Sequence, residues 1–557
     1  VTPRITFVLV TYGGGELAAH CLDVLAEHTP EPYEVVVVDS ASPDGSGEWL
    51  ERNLTGATVV RMTENLGFGA GCNLGVQHAR TEFVCFLNAD VEVTEGWLAP
   101  LLELLDRTPA AAAAAPLMVF PDGRLQEAGS LLGGDAFSRG WGDGWEDGAE
   151  LYPRVVDYAS AACLVVRRRA FHDVGGFSSE YHIAYYEDTD LQFGLRDRGW
   201  QVWVQPSSHV VHVRHGTSST ATAERLSDLN REVFRRRWAD DLALRPPALG
   251  VHEHPHRLWW LRDKPASVRV LVVAAGAPAD GDRDAALLSA WRADPEAAVA
   301  LLVPEDAADD GAFARWRSRG VEVRSGDAGE VSRERVGNYD VVVALGDVPV
   351  EAVTRWQRAA VKALDLASLP HRAHERRFAL SRAKEDAVRA GAARARTAEL
   401  LQWADVVSCA SEEDAEWVRG VAGATAHVLT HPVEAPPVLC ELADRVAGDA
   451  AGDADLAVRR VLVAPFPGSA GLRSELVRAM AVGTPFVTTW EGADGLGLPG
   501  WVFECTEEQL LTDDELWGRV HRELVAAHRA RFTPERFRAV FADLQADCGV
   551  APAPLVP

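Results

Sequence analysis

The chain has 557 residues, 47% hydrophobic and 25% charged, which is the composition of a folded protein of roughly two to four domains and excludes a disordered, collagenous or disulfide-stapled chain. Asp and Glu number 82 against 55 Lys and Arg, a net charge of −27 at pH 7, which argues against nucleic acid as a partner. Lys264, Lys362 and Lys384 are the only lysines, so a phosphate site in the opening half must rest on a metal, Arg or backbone amides.

Short apolar runs alternate with amphipathic stretches over the first 120 residues, the mark of a mostly parallel sheet covered by helices. The pattern predicts strands at 5–11, 34–39, 57–62, 82–87 and 113–119, with helices at 16–28, 46–53, 69–79 and 95–107. From Pro121 to Asp157 it breaks into Gly, Trp and Asp, then resumes with Ala161–Val166, a helix opening near Asp188, and strands near 200–204 and 209–213. Residues 1–245 therefore read as one α/β domain and 246–266, opening on Pro246-Pro247, as a linker. Residues 267–557 read as a second α/β region, with strands at 268–274, 298–303, 339–345, 405–409, 426–430 and 460–464 and a mobile loop at 441–457.

The eight cysteines are scattered, several within apolar runs, and form no CxxC pair, so they are expected to be reduced core thiols. The opening residues lack a basic segment followed by a long apolar one, and no apolar run approaches the ~20 residues of a membrane helix. A cytoplasmic protein is expected, with peripheral contact at the inner face of a membrane left open. The basic runs Arg167–Arg169 and Arg235–Arg237 read as solvated helix faces.

Ligands of parallel α/β sheets bind beyond the carboxyl ends of the strands. Thr11, Tyr12 and Gly13–Gly15 follow the first strand, Asp39 to Ser46 the second, Glu64 to Asn73 the third, and Asn88-Ala89-Asp90 the fourth. The glycine segment is no dinucleotide fingerprint, because Cys72 stands where the third glycine belongs, and no GxxxxGK[ST] occurs.

Nine stretches in order, VLVTYGG (8–14), VVDSASPDGS (37–46), TENLGFGAGCNLG (63–75), FLNAD (86–90), PDGRLQEAG (121–129), DYASAACLVVRR (157–168), VGGF (174–177), YYEDTDL (185–191) and PSSHVVHVRHGTS (206–218), resemble family 2 glycosyltransferases of GT-A fold, in particular the bacterial rhamnosyltransferase-like branch that builds surface polysaccharides. The resemblance covers about the first 220 residues. It implies a divalent metal, Mn or Mg, held by Asp90 and His212, with Mn the better match to a carboxylate beside an imidazole. Asn88 stands where the family often has the first Asp of DxD, so the metal would be held less by protein and more by the donor's diphosphate. The resemblance also implies nucleotide-sugar contacts from Thr11, Tyr12, Asp39, Asn65, Gly67, Asn88 and Asp90. It gives Asp188 as the general base of an inverting displacement, its pKa raised by clustered carboxylates, with Glu187 and Asp190 orienting the helix start and neighbouring hydroxyls. Acceptor contacts are expected from Asp190 and from the Pro121–Asp157 segment, where Trp145, with Trp141, Tyr152 and Tyr158, would stack on sugar faces or form a lid with an aromatic core. Each of Asp39, Asp90 and Asp188 has capping as its structural alternative.

Residues 459–497, with weaker echoes at 404–411 and 426–434, are similar to the donor side of a family 4 glycosyltransferase of GT-B, Rossmann-like type. Arg478 stands at the family's Glu before Ala-Met-Ala and Ala470 at its earlier Glu, so this half is expected to be degenerate, a scaffold or acceptor-binding module. The expected function is transfer of a hexose, with rhamnose the branch's sugar, from dTDP- or UDP-sugar to a hydroxyl of a glycan or lipid-linked acceptor for the cell wall or surface polysaccharide. The alternative is a non-catalytic protein that binds nucleotide sugar or glycan.

Overall fold

Ile5–Thr11 (β1) is buried on both faces apart from Val10, as a central strand between two helical layers must be. Gly15–His28 (α1), Tyr33–Asp39 (β2), Ser46–Asn53 (α2), Thr58–Arg61 (β3), Phe68–His78 (α3) and Phe83–Leu87 (β4) follow, and β1 pairs in parallel with both β2 and β4. Next come Val91–Val93 (β5), Leu98–Arg107 (α4), Ala111–Val119 (β6), Leu125–Glu127 (β7), Ser130–Leu132 (β8), Ser138–Gly140 (β9), Arg154–Val155 (β10) and Cys163–Arg167 (β11). Arg168–Val174 (α5), Glu187–Asp197 (α6), Gln201–His212 (β12), Thr220–Arg237 (α7), Ala239–Ala243 (α8) and Pro255–Asp263 (α9) complete this part. The main sheet runs β10-β12-β6-β11-β4-β1-β2-β3, with β5 on β12 and β7 on β6. This computed structural model describes residues 2–146, 151–213, 220–245, 255–294, 297–358, 360–422, 426–430, 446–447, 461–464, 474–488 and 495–550.

Two apolar clusters cover the faces of the sheet, one around Val8, Val38, Phe86 and Leu164, the other around Phe7, Leu9, Cys85 and Trp97. α3 lies close on the sheet because Gly71 and Gly75 face Val10 and Val8 without side chains of their own. That packing accounts for part of the glycine-rich segment.

Several expectations are corrected. The strands at 200–204 and 209–213 are one strand, β12, whose pairing with β6 shifts register between Gln205 and His209. Pro206 cannot donate to a ladder, and the local irregularity mimics a strand end in the sequence. The broken stretch from Pro121 contains β7 to β10, and Trp141, Tyr152 and Tyr158 are buried in it, so these three are core. The expected linker holds α9, whose Trp259 packs edge-on against Trp141 at 4.8 Å, while 246–254 lie outside the described residues. The loop at 441–457 also lies outside them, except for a two-residue strand at Val446–Ala447.

The chain divides into two compact units, Val1–Ser267 with Arg315–Glu322, and Val268–Ala314 with Val323–Pro557. The second contains Val268–Val273 (β13), Ala297–Val303 (β14), all but the first residue of Glu322–Ser325 (β15), Val341–Leu345 (β16), Val361–Leu366 (β17), Val406–Cys409 (β18) and Ala426–Val428 (β19), in the order β15-β14-β13-β16-β17-β18-β19. β15 and β17 were not expected from the sequence; Lys362 and Asp365 interrupt the apolar run of β17. A smaller parallel sheet follows, in the order Val446–Ala447, Leu462–Ala464, Phe486–Thr488. The described cysteines are free thiols, all buried except the half-buried Cys505.

Candidate active site

The carboxyl ends of β1 and β2 lie in register, Thr11 beside Asp39. Thr11 Oγ1 donates to the Gly13 carbonyl at 2.6 Å. The amides of Gly13, Gly14 and Gly15 donate to Ser42 Oγ, Asp44 Oδ2 and Ser46 Oγ at 2.7, 3.1 and 2.9 Å. These amides are satisfied by the neighbouring loop, so the triple glycine is a turn. Asp39 is 1% exposed, accepts from the Ser42 amide at 3.2 Å and stands 3.8 Å from Arg61 Nε. Tyr12 is half exposed.

Past β3, Asn65 Oδ1 accepts from the Gly67 amide at 2.9 Å. Gly67 has a φ of +93° and is pressed on the backbone of Ile183, leaving no room for a side chain. Gly67 therefore ties the third strand's loop to the segment entering α6.

The turn after β4 brings the expected metal ligands together. β5 pairs with the end of β12, so that His212 lies opposite Val91, and the Val213 amide donates to the Asp90 carbonyl at 3.0 Å. His212 Nε2 is 3.5 Å from Asp90 Oδ2, and both side chains are largely buried. His212 Nδ1 is 2.8 Å from Gln126 Oε1. With that oxygen accepting, Nδ1 carries the proton and Nε2 turns a lone pair toward the carboxylate. Two lone-pair donors facing one space, with the far ring nitrogen held by a polar partner, fit a divalent cation. Among the described residues no group of three or more His, Cys, Asp or Glu is placed to hold a metal ion.

Asp188 sits in the first turn of α6. Its Oδ2 accepts from the Ala161 amide at 3.2 Å and its Oδ1 from the Thr189 amide at 2.7 Å. The next carbonyl of the same turn, Ala162, accepts from the Asn88 amide at 2.8 Å, so one turn touches both Asp188 and the exit of β4. Burial raises the pKa of Asp188, opposed by the hydrogen bonds from Ala161 and Thr189. Clustered carboxylates were the expected cause; the burial of the group is the larger one here.

Residues 6–175 match the family model described as Glycosyl transferase family 2. This part of the chain is a family 2 glycosyltransferase domain. The chain is 27% identical over 258 residues to the N-acetylglucosaminyl-diphospho-decaprenol L-rhamnosyltransferase of Mycobacterium tuberculosis, covering 42% of this chain and 84% of that one. It is 30% identical over 181 residues to the pre-mycofactocin glycosyltransferase of the same species, covering 32% and 37%. Among solved structures, it is similar to GalNAc-T7 with UDP, GalNAc and Mn2+ (17% identity, TM-score 0.36, 43% of this chain and 49% of that one). It is also similar to a mannosyltransferase of Pyrobaculum calidifontis with GDP-Man and Mn2+ (23% identity, TM-score 0.29, 39% and 59%). The chain thus spans about half to three-fifths of these solved chains.

Within the glycosyltransferase domain, two residues that sequence reasoning missed join the Asp90–His212 pair to Asp188. β7 carries Gln126, which orients His212, and Glu127, whose Oε1 accepts from the Ser160 amide at 3.0 Å. Ser160 and Ala161 are adjacent, so neighbouring amides hold the Glu127 and Asp188 carboxyl groups. Glu127 feels both Asp188 and His212, and burial pushes its pKa up to about 7. The only signal in the sequence is their place in PDGRLQEAG.

Glu187 is 6% exposed and stands against Gly69 at the start of α3, its Oε2 buried without a hydrogen-bond partner, and burial pushes its pKa well above the carboxylate range. Asp190 Oδ1 accepts from Tyr181 Oη at 3.0 Å and Trp238 Nε1 at 2.8 Å and pairs with Arg237 Nε at 3.0 Å, which makes it an anchor of α6. Trp145 is 40% exposed, edge-on to Trp141 at 5.5 Å. The basic run at 167–169 lines a cleft with Glu82, Asp106 and Pro109 at the amino end of β4, the opposite edge of the sheet. Arg167 and Arg168 donate there to the carbonyls of Ala111 and Thr81, so they are structural.

Proposed function

We propose that the chain is an inverting, metal-dependent glycosyltransferase that moves a sugar from a dTDP- or UDP-sugar to a hydroxyl of a glycan or lipid-linked acceptor. The observation that carries this is the continuity of the Asp90–His212 pair, Gln126, Glu127 and Asp188 along one rim. The mycobacterial relative's name supports rhamnose as the sugar and a lipid diphosphate as the acceptor class. No described helix is long and apolar enough to cross a membrane, and a protein of the cytoplasmic membrane face, in peripheral contact with it, suits such an acceptor.

Asp90 and His212 would hold the cation, with Mn favoured by the imidazole. When bound, the metal neutralises charge on the departing diphosphate. Asp188 takes the proton of the acceptor hydroxyl as its oxygen attacks the anomeric carbon; the bond to the diphosphate oxygen breaks and the nucleoside diphosphate leaves from the opposite face. Burial of Asp188 makes it a stronger base than a solvated aspartate. Thr11, Tyr12, Asp39 and Asn65 form the nucleotide side, and Trp145 the exposed ring for an acceptor sugar.

The second unit supports a scaffold or acceptor-binding role. Arg478 occupies a helix, Ser474–Val482, half-buried where a carboxylate would be needed. Incubating the full chain with Mn and a panel of dTDP-, UDP- and GDP-sugars tests the whole reading. Release of nucleoside diphosphate that EDTA stops is the expected result. Saturable donor binding with no release under any metal or acceptor would instead make it a nucleotide-sugar-binding protein.

A further inference from the structure

The segment entering α6 is built against its own preferences. Ile183, Tyr185 and Tyr186 have φ of 69°, 79° and 68°, a left-handed backbone that L-residues avoid and a β-branched Ile avoids most. Asp188 follows two residues later, so this geometry decides where the carboxylate points. Strained backbone persists only where its surroundings over-determine it.

The carbonyls of residues 182 to 186 show what holds it. Ile183 O accepts from the Phe68 amide at 2.8 Å, tying the segment to the first turn of α3 beside Gly67. Tyr186 O accepts the Asp190 amide at 2.8 Å, the opening bond of α6. The other three, His182, Ala184 and Tyr185, accept from one side-chain nitrogen, Asn230 Nδ2, at 3.2, 2.8 and 3.1 Å. Asn230 Oδ1 accepts in return from the His182 amide at 3.4 Å. Asn230 is 4% exposed, in the middle of α7. Below it on that helix Phe234 packs on the Tyr186 ring at 5.6 Å and Arg237 pairs with Asp190, which Trp238, the residue after the helix, also holds.

We propose that Asn230 is a positioning residue for the base: it moulds residues 182–186 so that α6 presents Asp188 to the rim, and it couples that placement to the loop of Gly67 on the donor side. Only an amide offers an acceptor and two N–H donors from one planar group on so short a stem. The proposal rests on the glycosyltransferase reading above for its kinetic consequence, and on the backbone alone for its structural one.

Asn230→Ala is expected to lower kcat about 10- to 100-fold, the cost of displacing a reacting group by about an ångström, while the donor KM stays within about twofold. Hydrogen exchange should show lost protection at the amides of 183–190 with β1 and β4 unchanged. Adding Ile183→Gly to Asn230→Ala should recover part of kcat, since glycine adopts positive φ without steric cost. Should Asn230→Ala fail to fold, Asn230→Ser, with a shorter stem, is read by the same three measurements. Unchanged kcat, or unchanged protection at 183–190, overturns the proposal. A wild-type chain that turns over no donor removes the enzymatic reading instead, and hydrogen exchange alone then decides whether Asn230 moulds the segment.

Discussion

Both units lay parallel strands side by side, yet their carboxyl edges are finished in opposite ways. At the first edge, the loop amides after β1 are satisfied by Ser42, Asp44 and Ser46, while Asp90, His212 and Asp188 remain partly open to solvent. At the second edge, Arg283 and Asp365 close on each other, 8% and 2% exposed, with a bond from Arg283 Nη2 at 2.8 Å. Ser408 donates to the same carboxylate, and Arg283 Nε donates to the Leu429 carbonyl at 2.8 Å. The rule that ligands sit beyond strand ends therefore names a place and not a function. The first edge leaves Asp90, His212 and Asp188 partly open to solvent, and the second buries its ion pair.

The largest expected effect breaks the first edge. Asp188→Asn should lower kcat by about 10² to 10⁴, the range for loss of a general base, and leave the nucleotide dissociation constant within about twofold, measured by calorimetry. Because only the ionised carboxylate can take the proton, and burial raises its pKa above 3.8, wild-type turnover should fall on the acid side at a pH above that of an ordinary aspartate. Near-native turnover of Asp188→Asn would remove the base assignment. At the second edge, Asp365→Ala leaves Arg283 buried without its carboxylate and should destabilise that unit by about 3–5 kcal/mol, read by denaturant unfolding of the full chain. Donor affinity should not change below the transition. Loss of donor binding in a folded Asp365→Ala chain would make the second edge a site and overturn the contrast.

A smaller effect probes the connection between the metal pair and its support. Gln126→Leu keeps the volume near the His212 ring but removes the partner of Nδ1, and should weaken Mn activation about 10- to 100-fold. The readout is the Mn concentration for half-maximal turnover, with the pyrimidine end of the donor bound as before. No change in Mn dependence would show that His212 is not oriented through Gln126.

The opening strands were legible in the sequence because each is a short apolar run ending in polar residues, and Asp90 and Asp188 because they stand in stretches with family spacing. The Asp90–His212 approach was readable only through the resemblance, since their 121 intervening residues carry no periodic signal. α7 was read only at its basic end, Arg235–Arg237, because the rest of the helix is largely polar and charged, and β12 was split by Pro206. Gln126, Glu127 and Asn230 escaped for a shared reason. Each acts through a contact more than 30 residues away in the chain, and a lone polar residue on a short strand or a polar helix looks the same whether it meets water or a strained carbonyl. Asp190 and Glu187 were expected to orient the start of α6; Asp190 is held there by Tyr181, Trp238 and Arg237, whereas Glu187 is buried with its Oε2 unpartnered, a difference that two carboxylates three residues apart do not show in a sequence.

The smallest expected effect sharpens the first edge by asking how much it costs to keep Glu127 there. Its pKa is pushed from 4.5 up to about 7 by burial, so between those values the folded chain holds a proton that the unfolded chain has released. The sign follows: the stabilisation is fully present below pH 4.5 and is lost as pH rises through about 7. Glu127→Gln keeps the shape of the protonated acid and cannot ionise. It should therefore match wild type in stability near pH 4.5 and exceed it near pH 8, by about 1–3 kcal/mol given a partly exposed carboxyl. Thermal unfolding of the two chains across that range measures the difference. A Glu127→Gln chain whose advantage does not grow with pH would mean that Glu127 is ionised at neutrality, and that the carboxyl groups held by the Ser160 and Ala161 amides carry two full charges side by side.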